Sequence, residues 1–534
     1  MGSCNTLLLD NFANLDSNSQ NIKLASEVSI LLVNPKMGFS GVFVQHIPLG
    51  IIYTATESYN AGYDIEALDL RIYGNDDKQT LKNKLINKQY DFVGFTVWSG
   101  SPIEEAVELG KIVRKHNPNA KILWGGPHAT FHPINILEQD WDVDYVISGY
   151  GSKVLKLFLD ADRNLNSKHF IPGLSFIDEN GKLISNKYAP GFEDIDFNDI
   201  PYDLINNYDP YGQFENGERI FSLYSVHGCP YKCSFCSSPA QYSSFKKKAQ
   251  RLDHELVVDH IEYLVNKYKA TYIYFIDDDS FISLKHVEAI IDEINIRKLK
   301  VKLGFRGARI NEIKRMSHAF LEKLVASGTD IMHVGVESGS DKILELIRKD
   351  CTVDDIIECV LKLSKVKNLK VFCNFIVGLP GETLDELKKT ASLMLKLTQI
   401  HKNAIIGAPN KFRPLPGTEL FDLVQSKWNY KGPETSKEWS EIEVEGDYSL
   451  PWLSKKQEKF IKMMLVTSYF IDDKINKFET GNSAFYKLIK ILSPMYRPFA
   501  KFRLKYGITI FLFEYNLYRM FINHLTKIDA PGSS

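Results

Sequence analysis

The chain has almost no net charge, because 65 lysines and arginines stand against 66 aspartates and glutamates and leave a formal charge of -1. Without a strong positive field nothing gathers a polyanion, so nucleic acid is not expected as a partner. Cysteine is also scarce, at 7 in 534 residues, and outside one short cluster the spacing suggests no disulfide framework. We therefore expect a reducing, cytoplasmic environment.

Long apolar runs are missing as well. The longest, at residues 507–513, is far too short to span a bilayer. The first 27 residues are polar and carry no secretory signal, so we expect a disordered tail there. The remaining composition, with 44% apolar and 25% charged residues, is that of a globular protein, and 534 residues exceed what one hydrophobic core supports.

One compact group of cysteines stands out. Cys229, Cys233 and Cys236 follow the spacing C-x3-C-x2-C, with Phe235 directly before the last cysteine. Three thiolates can hold three irons of a cubane cluster and leave the fourth iron open to bind and reduce a substrate. Zinc is the alternative, but it prefers four ligands, and His227 is poorly placed to complete a tetrahedron. The pattern therefore favours an iron–sulfur cluster.

This loop closely resembles the cluster loop of the radical S-adenosylmethionine (SAM) enzymes. The resemblance implies that Cys229, Cys233 and Cys236 carry a catalytic 4Fe-4S cluster whose open iron binds SAM. It further implies one-electron cleavage of SAM to methionine and a 5'-deoxyadenosyl radical. An external one-electron reductant of the flavodoxin or ferredoxin type is then expected as a partner.

A regular alternation of strands and helices surrounds this loop. Strands are predicted at residues 220–226, 272–276, 302–305, 332–336, 371–377 and 404–412. Six such units form an open, partial TIM-like (β/α)6 barrel, whose chemistry lies at the carboxyl ends of its strands. The cysteine loop follows the first strand, as that rule requires.

The later strand ends match the same family. By resemblance, SAM contacts are expected from five residues: Phe235, Asp278, Arg309, Glu337 and Gly378. Glu337 should contact the polar part of SAM, an arginine its carboxylate, and glycines its adenine and ribose. For any one charged residue among them, a solvated loop position is the plain alternative.

Residues 28–160 show a second series of short strands and helices. Strands are predicted at residues 28–33, 65–70, 92–97, 121–124 and 145–147, with one of the helices at 103–115. Helical crossovers between strands predict a doubly wound, Rossmann-like parallel sheet whose ligand crevice lies beyond the carboxyl ends of the strands. The segments after these strands are rich in glycine, which lets the backbone approach a large ligand.

These segments resemble the cobalamin-binding domain that precedes the cluster domain in one large branch of radical SAM enzymes. The resemblance implies nine cobalamin contacts: Trp98, Ser99, Gly100, Gly125, Gly126, Pro127, His128, Gly149 and Tyr150. Two features depart from the family pattern. No D-x-H-x-x-G follows the first strand, so no histidine is offered in the usual place as a lower cobalt ligand. The frequent G-E-G-E is here Gly149-Tyr-Gly-Ser152.

Single histidines in or near the crevice, such as His46 and His128, are more often structural than ligands. Downstream, residues 173–184 predict a hairpin, and Asn180-Gly181 predicts a type I' turn within it. Helical patterning replaces the strand alternation after about residue 427. Four basic residues alternate with aromatics near the end: Arg497, Lys501, Arg503 and Lys505. We favour a helical cap there; the alternative is a surface for a membrane boundary or a hydrophobic substrate.

The predicted division has four parts. They are a disordered tail (1–27), a Rossmann-like cobalamin-binding domain with a connector hairpin (28–190), a radical SAM partial TIM barrel (191–426) and a helical C-terminal domain (427–534). The overall class is therefore α/β, with two strand-and-helix domains in succession.

The predicted function is that of a cobalamin-dependent radical SAM enzyme. Methyl transfer to an unactivated carbon of a small-molecule or hydrophobic substrate, with a 5'-deoxyadenosyl radical and methylcobalamin, is the favoured reaction. The alternative is a cyclisation or rearrangement without methyl transfer. A methylthiotransferase is disfavoured because the N-terminal domain has no second cysteine triad. A sensor without turnover is disfavoured by the complete cluster motif.

Overall fold

The structure is a computed structural model. It describes residues 23–36, 46–139, 141–164, 166–193, 195–211, 218–442, 448–474 and 484–525, with side chains over the same ranges except 484–489 and 520–525. Of the predicted disordered tail, residues 1–22 lie outside the described residues, and Cys4 lies there as well.

Seven strands form the N-terminal sheet: β1 (Ser29–Asn34), β2 (Asp64–Asp69), β3 (Phe92–Thr96), β4 (Lys121–Gly125), β5 (Tyr145–Ile147), β6 (Leu174–Ile177) and β7 (Leu183–Ser185). Their order in the sheet is β2-β1-β3-β4-β5-β6-β7. Strands β1 to β5 run parallel, whereas β6 and β7 add antiparallel at one edge. Because the order reverses at β1, the switch point lies between β1 and β3, where ligands of such sheets bind.

Helices cover both faces of this sheet: α1 (Leu49–Asn60), α2 (Asp77–Asn87), α3 (Pro102–His116), α4 (Pro127–Phe131), α5 (Pro133–Leu137) and α6 (Gly151–Arg163). Strand β1 shows why its apolar run is unbroken. Ile30 and Leu32 are buried in one core, and Leu31 and Val33 in another. Alternate side chains point to opposite faces, so a strand covered on both sides needs apolar residues at every position.

The predicted hairpin is present as β6 and β7, but its predicted type I' turn is wrong. That turn needs positive φ at both central residues. Among the described residues, Gly181 has a positive φ of 74° and Asn180 does not. The carboxylate of Asp178 instead accepts hydrogen bonds from the backbone N–H groups of Asn180 at 3.0 Å and Lys182 at 2.8 Å. A side chain therefore closes a longer loop.

The second sheet and its flanking ribbon use nine strands: β8 (Ile220–Leu223), β9 (Val226–Gly228), β10 (Ala249–Arg251), β11 (Tyr272–Phe275), β12 (Lys302–Ala308), β13 (Thr329–Glu337), β14 (Lys370–Val377), β15 (Ala404–Ile406) and β16 (Asn410–Lys411). The parallel sheet has the order β15-β14-β13-β12-β11-β8, and β16 pairs with β14. The first strand ends earlier than predicted, because the chain leaves the sheet after Leu223 and forms the antiparallel ribbon β9-β10.

Helices wrap the outside of this partial barrel: α7 (Ser238–Gln241), α8 (His254–Tyr268), α9 (Leu284–Ile296), α10 (Ile310–Arg315), α11 (His318–Ala326), α12 (Asp341–Leu346), α13 (Val353–Ser364), α14 (Leu384–Ile400) and α15 (Glu419–Trp428). A single large core joins strands and helices, in which Phe275 and Phe305 stack with ring centroids 4.8 Å apart. The predicted α/β class with two parallel sheets is confirmed.

The C-terminal part is helical: α16 (Ser436–Ser440), α17 (Lys455–Ser468), α18 (Ala484–Tyr506) and α19 (Phe513–Leu525). Helix α17 packs against α14 and α18 on the barrel. Helix α16 instead packs against α3 of the N-terminal sheet. In the described part of the chain, no helix combines the length and apolar character needed to cross a bilayer.

Candidate active site between the two sheets

A cavity of about 540 Å³ lies between the carboxyl ends of the two sets of strands. The N-terminal sheet contributes the ends of β1, β3 and β4 and the segments that follow them. The barrel contributes Ser222, Tyr224, Ile276 and Arg306. The two crevices expected from the strand directions therefore open into one shared space.

Glycines allow close packing within the N-terminal wall of this cavity. Gly126 has a φ of +93°, and a Cβ atom there would lie 2.8 Å from Thr96 Oγ1 and 2.9 Å from the backbone nitrogen of Val97. Gly149 has a φ of +80° and lies against the ring of Tyr188. Both missing Cβ atoms would strike neighbouring protein atoms, so these glycines let the segments of the wall pack closely. The resulting wall of backbone and apolar side chains fits the broad face of a corrin.

Of the nine residues predicted to contact cobalamin, six line the cavity: Trp98, Gly125, Gly126, Pro127, Gly149 and Tyr150. Trp98 is half exposed. The other three, Ser99, Gly100 and His128, are not among the lining residues.

His128 lies behind the cavity wall with both ring nitrogens engaged. Its Nδ1 is 2.9 Å from Ser99 Oγ, and its Nε2 is 3.0 Å from Ser436 Oγ. The side chain is fully buried, and burial followed by the proximity of His132 lowers its pKa to about 3. A neutral, doubly hydrogen-bonded imidazole supports the strand ends, and its position does not support the predicted direct contact with cobalamin.

His46 joins the two halves of the molecule. Its Nδ1 is 3.0 Å from Ser222 Oγ on the first barrel strand, and its ring stacks on Tyr274 at 5.1 Å. Burial lowers its pKa to about 4, and the charges of Arg71 and Arg306 act in the same direction. His46 is therefore a neutral residue of the cavity wall.

The three cysteines lie on the loop between β9 and β10 and are free thiols. Arg309 Nη1 donates to Cys233 Sγ at 2.8 Å, and the backbone N–H of Ser238 donates to Cys236 Sγ at 3.4 Å. Donors aimed at sulfur stabilise thiolate ligands and tune the cluster that they hold. The loop therefore fits an iron–sulfur cluster.

Burial works against the thiolate form when no iron is bound. It raises the pKa of Cys229 to about 12 and also raises the pKa of Cys236. Cluster assembly must therefore displace protons from these thiols. Among the described residues, no three His, Cys, Asp or Glu side chains converge as around a single metal ion. In a cubane, each thiolate binds a different iron.

Glu337 is held in a buried ion pair that the sequence pattern did not indicate. Its Oε1 lies 2.8 Å from Lys349 Nζ, and both side chains are buried. Glu337 also has a φ of +63°, which is strained for a residue with a side chain. Burial by itself lowers the pKa of Lys349, but Glu337 and Cys233 outweigh it, and the net shift is upward. Lys349 follows a short helix in a loop, where no spacing motif marks it.

Arg309 is already engaged with the cluster loop. Besides Cys233, its guanidinium donates to the carbonyl oxygen of Lys349 at 3.1 Å and lies 4.0 Å from the centre of the Tyr231 ring. These contacts place Arg309 beside the cysteines. Its predicted role as a partner for the SAM carboxylate stays a prediction.

Asp278 lies between the cluster loop and the N-terminal wall. Its carboxylate accepts hydrogen bonds from Tyr242 Oη at 3.1 Å and Ser238 Oγ at 3.4 Å, and burial raises its pKa. Tyr242 interacts in turn with Tyr150, which lines the cavity. The tyrosine that replaces the first glutamate of the G-E-G-E pattern is thus connected to the barrel.

The remaining predicted SAM residues lie on other walls. Phe235 is half buried and packs against the barrel core. Gly378 has a φ of +79°. Its N–H donates to Glu382 Oε2 at 2.6 Å, and its carbonyl oxygen accepts from Trp452 Nε1 at 2.9 Å. Trp452 precedes α17, so the C-terminal part covers this strand end.

Arg306 brings a positive charge to the cavity. It lies near the end of the third barrel strand and is exposed towards the shared space, and its guanidinium has no hydrogen bond or ion pair with another described residue.

Two family models match the chain in the order that the two sheets suggest. The B12 binding domain matches residues 40–159, and the Radical SAM superfamily matches residues 223–394. An uncharacterised methyltransferase of Pyrococcus horikoshii is 29% identical over 382 residues, which are 70% of this chain and 78% of that protein. The anaerobic magnesium-protoporphyrin IX monomethyl ester cyclase of Cereibacter sphaeroides is 29% identical over 398 residues, 72% of this chain and 63% of the cyclase.

Solved structures agree on the fold. The cobalamin-dependent S-adenosylmethionine radical enzyme OxsB, with aqua-cobalamin and S-adenosylmethionine bound, has a TM-score of 0.66 at 18% identity, over 95% of this chain and 77% of that one. The cofactors are a 4Fe-4S cluster, SAM and cobalamin. The cysteine loop lies after the first barrel strand and the B12 match precedes it, so the chain carries a B12 binding domain followed by a radical SAM domain.

Proposed function

We propose that this enzyme methylates an unactivated carbon of a small or hydrophobic substrate. The observation that carries the proposal is the shared cavity, where the glycine wall of the N-terminal sheet faces the barrel residues Tyr224 and Arg306. When bound, the cluster and SAM supply a hydrogen-abstracting radical, and cobalamin supplies a methyl group. A reaction that needs both groups requires them to meet at one substrate carbon.

The protein's own residues hold and shield the site. Cys229, Cys233 and Cys236 bind the cluster, while Arg309 and Ser238 donate to its sulfur ligands. Glu337, fixed by its buried lysine partner, offers its free carboxylate oxygen to the polar end of SAM. These roles, and those of Phe235, Asp278 and Gly378 towards SAM, are proposals.

A division of labour along the chain accompanies them. Residues 28–190 bind cobalamin, 191–426 bind the cluster and SAM, and 427–534 cover the barrel and close the site. Support comes from the strand ends that reach the cavity from both sheets and from Trp452 on the barrel's fifth strand end.

Enzymes of this superfamily need an external reductant, and we propose a flavodoxin or ferredoxin type. We also propose that the C-terminal region contacts a membrane surface.

A cyclisation or rearrangement is the second candidate. It is favoured by the magnesium-protoporphyrin cyclase, which matches this chain at the same identity as the methyltransferase. That relative's reaction is named as a cyclisation and closes a ring on its own substrate.

A half-reaction that needs no substrate separates the two candidates. Anaerobic protein holding cobalamin is reduced with SAM present, and S-adenosylhomocysteine is measured against bound cobalamin. The methyltransferase predicts about one S-adenosylhomocysteine per cobalamin, because the methyl group must first leave SAM. Formation of 5'-deoxyadenosine with no S-adenosylhomocysteine contradicts methyl transfer and favours the cyclisation. Cys233→Ala protein is the control, since it should form no 5'-deoxyadenosine.

A further inference from the structure

Helices α18 and α19 carry a concentrated exposed apolar surface. Of the twenty-three large hydrophobic side chains exposed among the described residues, ten lie between residues 491 and 517. This C-terminal apolar surface consists of Ile491, Leu492, Met495, Phe499, Phe502, Tyr506, Ile510, Phe511, Phe513 and Leu517. Soluble surfaces expose such side chains singly, so a contiguous set indicates a binding surface.

Helix α18 is apolar on two sides. Met495, Phe499, Phe502 and Tyr506 recur at intervals of three and four residues, so they share the outward face. The opposite side packs on the protein, and Leu504 is only 2% exposed there. Packing against the rest of the protein therefore explains the apolar residues on one face of the helix, but it does not explain those on the outward face.

The loop between the two helices is held outwards by a buried arginine. Arg503 donates to the carbonyl oxygens of Ile508 at 3.1 Å and Ile510 at 2.7 Å, and it pairs with Glu514. Tyr496 Oη also donates to Glu514, at 2.6 Å. Outside these contacts, the side chains of Ile510 and Phe511 are 68% and 86% exposed. The loop tip is thus a fixed apolar projection.

The charges around the surface have one sign. The predicted set of four basic residues is corrected, because Arg497 pairs with Asp473 at 2.7 Å and Arg503 is buried. Lys501 and Lys505 remain for an external partner. Glu514 is the only acid between residues 490 and 525, and it is buried against Arg503.

We propose that this surface docks on an anionic lipid bilayer, with Ile510 and Phe511 entering the boundary between headgroups and acyl chains. Apolar side chains flanked by lysine suit that boundary, since each group meets the layer that solvates it. A second copy fits less well. A two-fold contact joins the same patch to itself and would bring the lysines of one copy to the patch of the other, where residues 490–525 offer no exposed acid to pair with them. The proposal is independent of the reaction proposed above.

Flotation of the full chain with lipid vesicles tests the docking. Vesicles of phosphatidylcholine with phosphatidylglycerol should carry the protein at low salt, and pure phosphatidylcholine vesicles should carry much less. The variant Ile510→Ser/Phe511→Ser should lose about tenfold or more of its partitioning, because it removes the inserted apolar groups. Both side chains are largely exposed, so the fold is not at risk.

Phe170→Ser/Ile296→Ser is the matched control, because these side chains are 87% and 71% exposed elsewhere on the molecule. It should float like the unchanged protein. Lys501→Glu/Lys505→Glu should weaken binding to anionic vesicles as added salt does. Phe511→Trp should shift its emission to the blue when vesicles are added.

Three results overturn the proposal. They are no flotation at low salt, equal flotation of the loop variant and its control, and a dimer in light scattering that the loop variant converts to a monomer. The last would assign the surface to a second copy of this chain.

Discussion

The strand ends of the N-terminal sheet line the cavity with glycine backbone and apolar side chains, whereas the barrel holds buried charges in pairs around its cysteine loop, outside the residues that line the cavity. Gly126 and Gly149 shape the first because, without a Cβ, they pack directly against neighbouring backbone and side chains. The pair Glu337 and Lys349, and Arg309 on a cysteine, shape the second by attraction. The two sides should therefore fail in different ways. An added side-chain atom should disrupt the close packing at the glycines, whereas removal of one charged residue should leave its partner buried and unpaired.

The largest effect is expected at the cysteine loop of the barrel side. Replacing Cys229, Cys233 or Cys236 by Ala should abolish the cluster, because each thiolate binds its own iron. Iron and sulfide analysis after anaerobic reconstitution measures this. Cys351→Ala is the control, since its thiol belongs to no such motif and its variant should keep the full iron content. A single cysteine variant with an intact cluster would contradict the assignment.

Breaking the buried charge pair should come next. Lys349→Met leaves Glu337 buried without a cation, which should lower the free energy of unfolding by about 3–5 kcal/mol. Urea denaturation of the metal-free protein measures it. The double variant Glu337→Gln/Lys349→Met removes both charges and should regain most of the loss. Equal stability of the single and double variants would show that the pair is not the cause.

Filling the glycine wall should cost less. Gly126→Ala places a Cβ at positive φ and 2.8 Å from Thr96 Oγ1, so we expect a loss of roughly 1–3 kcal/mol and weaker cobalamin binding. Gly110→Ala is the matched control in helix α3, because its added Cβ would meet only Ile122 Cδ1, at an ordinary 3.9 Å, and Gly110 does not line the cavity. It should be neutral or stabilise by up to about 1 kcal/mol. Thermal unfolding and cobalamin titration are measured for both variants. Equal stability and equal cobalamin affinity of the two variants would contradict a special role for Gly126.

The effect that is smallest at neutral pH concerns acid stability behind that wall. Burial lowers the folded-state pKa of His128 to about 3, whereas the ordinary value is 6.5. Between these values the unfolded chain binds a proton that the folded chain does not. Stability is therefore unaffected by this residue above pH 6.5 and falls below it, by up to about 1.4 kcal/mol per pH unit.

His128→Gln should flatten this slope in urea denaturation below pH 6.5. His318→Gln, at a largely exposed histidine, serves as the control and should leave the slope unchanged. If His128→Gln keeps the full slope, other buried groups govern acid unfolding.

Local patterns in the sequence predicted the framework well. Cysteine spacing marked the cluster loop, and strand periodicity with the rule of carboxyl ends placed Gly126, Gly149 and Tyr150 at a common cavity. Both signals act over a few residues, so a reading of the chain detects them. Contact partners that are distant in the sequence leave no such local pattern. Ser436, 308 residues from His128, and Lys349 on Glu337 are known only from the folded chain.

The type I' turn and the basic set near the C-terminus failed for a related reason. The residue types were suitable, but Asp178 closed the turn with its side chain, and Asp473 and Glu514 engaged two of the four arginines and lysines. Competition from neighbouring side chains decides such cases, and composition alone does not rank the competitors.

The contact between α16 and the N-terminal domain, here called the seam, can form only after the whole barrel has been synthesised. Trp439 is buried in the N-terminal core beside His132, and Ser440 Oγ donates to Glu104 at 3.0 Å. A growing chain makes the N-terminal sheet before this seam, so the nascent N-terminal domain lacks Trp439 and the cover of α16 on α3 until the barrel has been synthesised. Cobalamin that bound to the nascent chain at this stage would meet an N-terminal domain that still lacks its contact with α16. A fragment that ends before α16 lacks the same contact. We expect chaperones to stay bound to the nascent N-terminal domain until residue 440 has emerged.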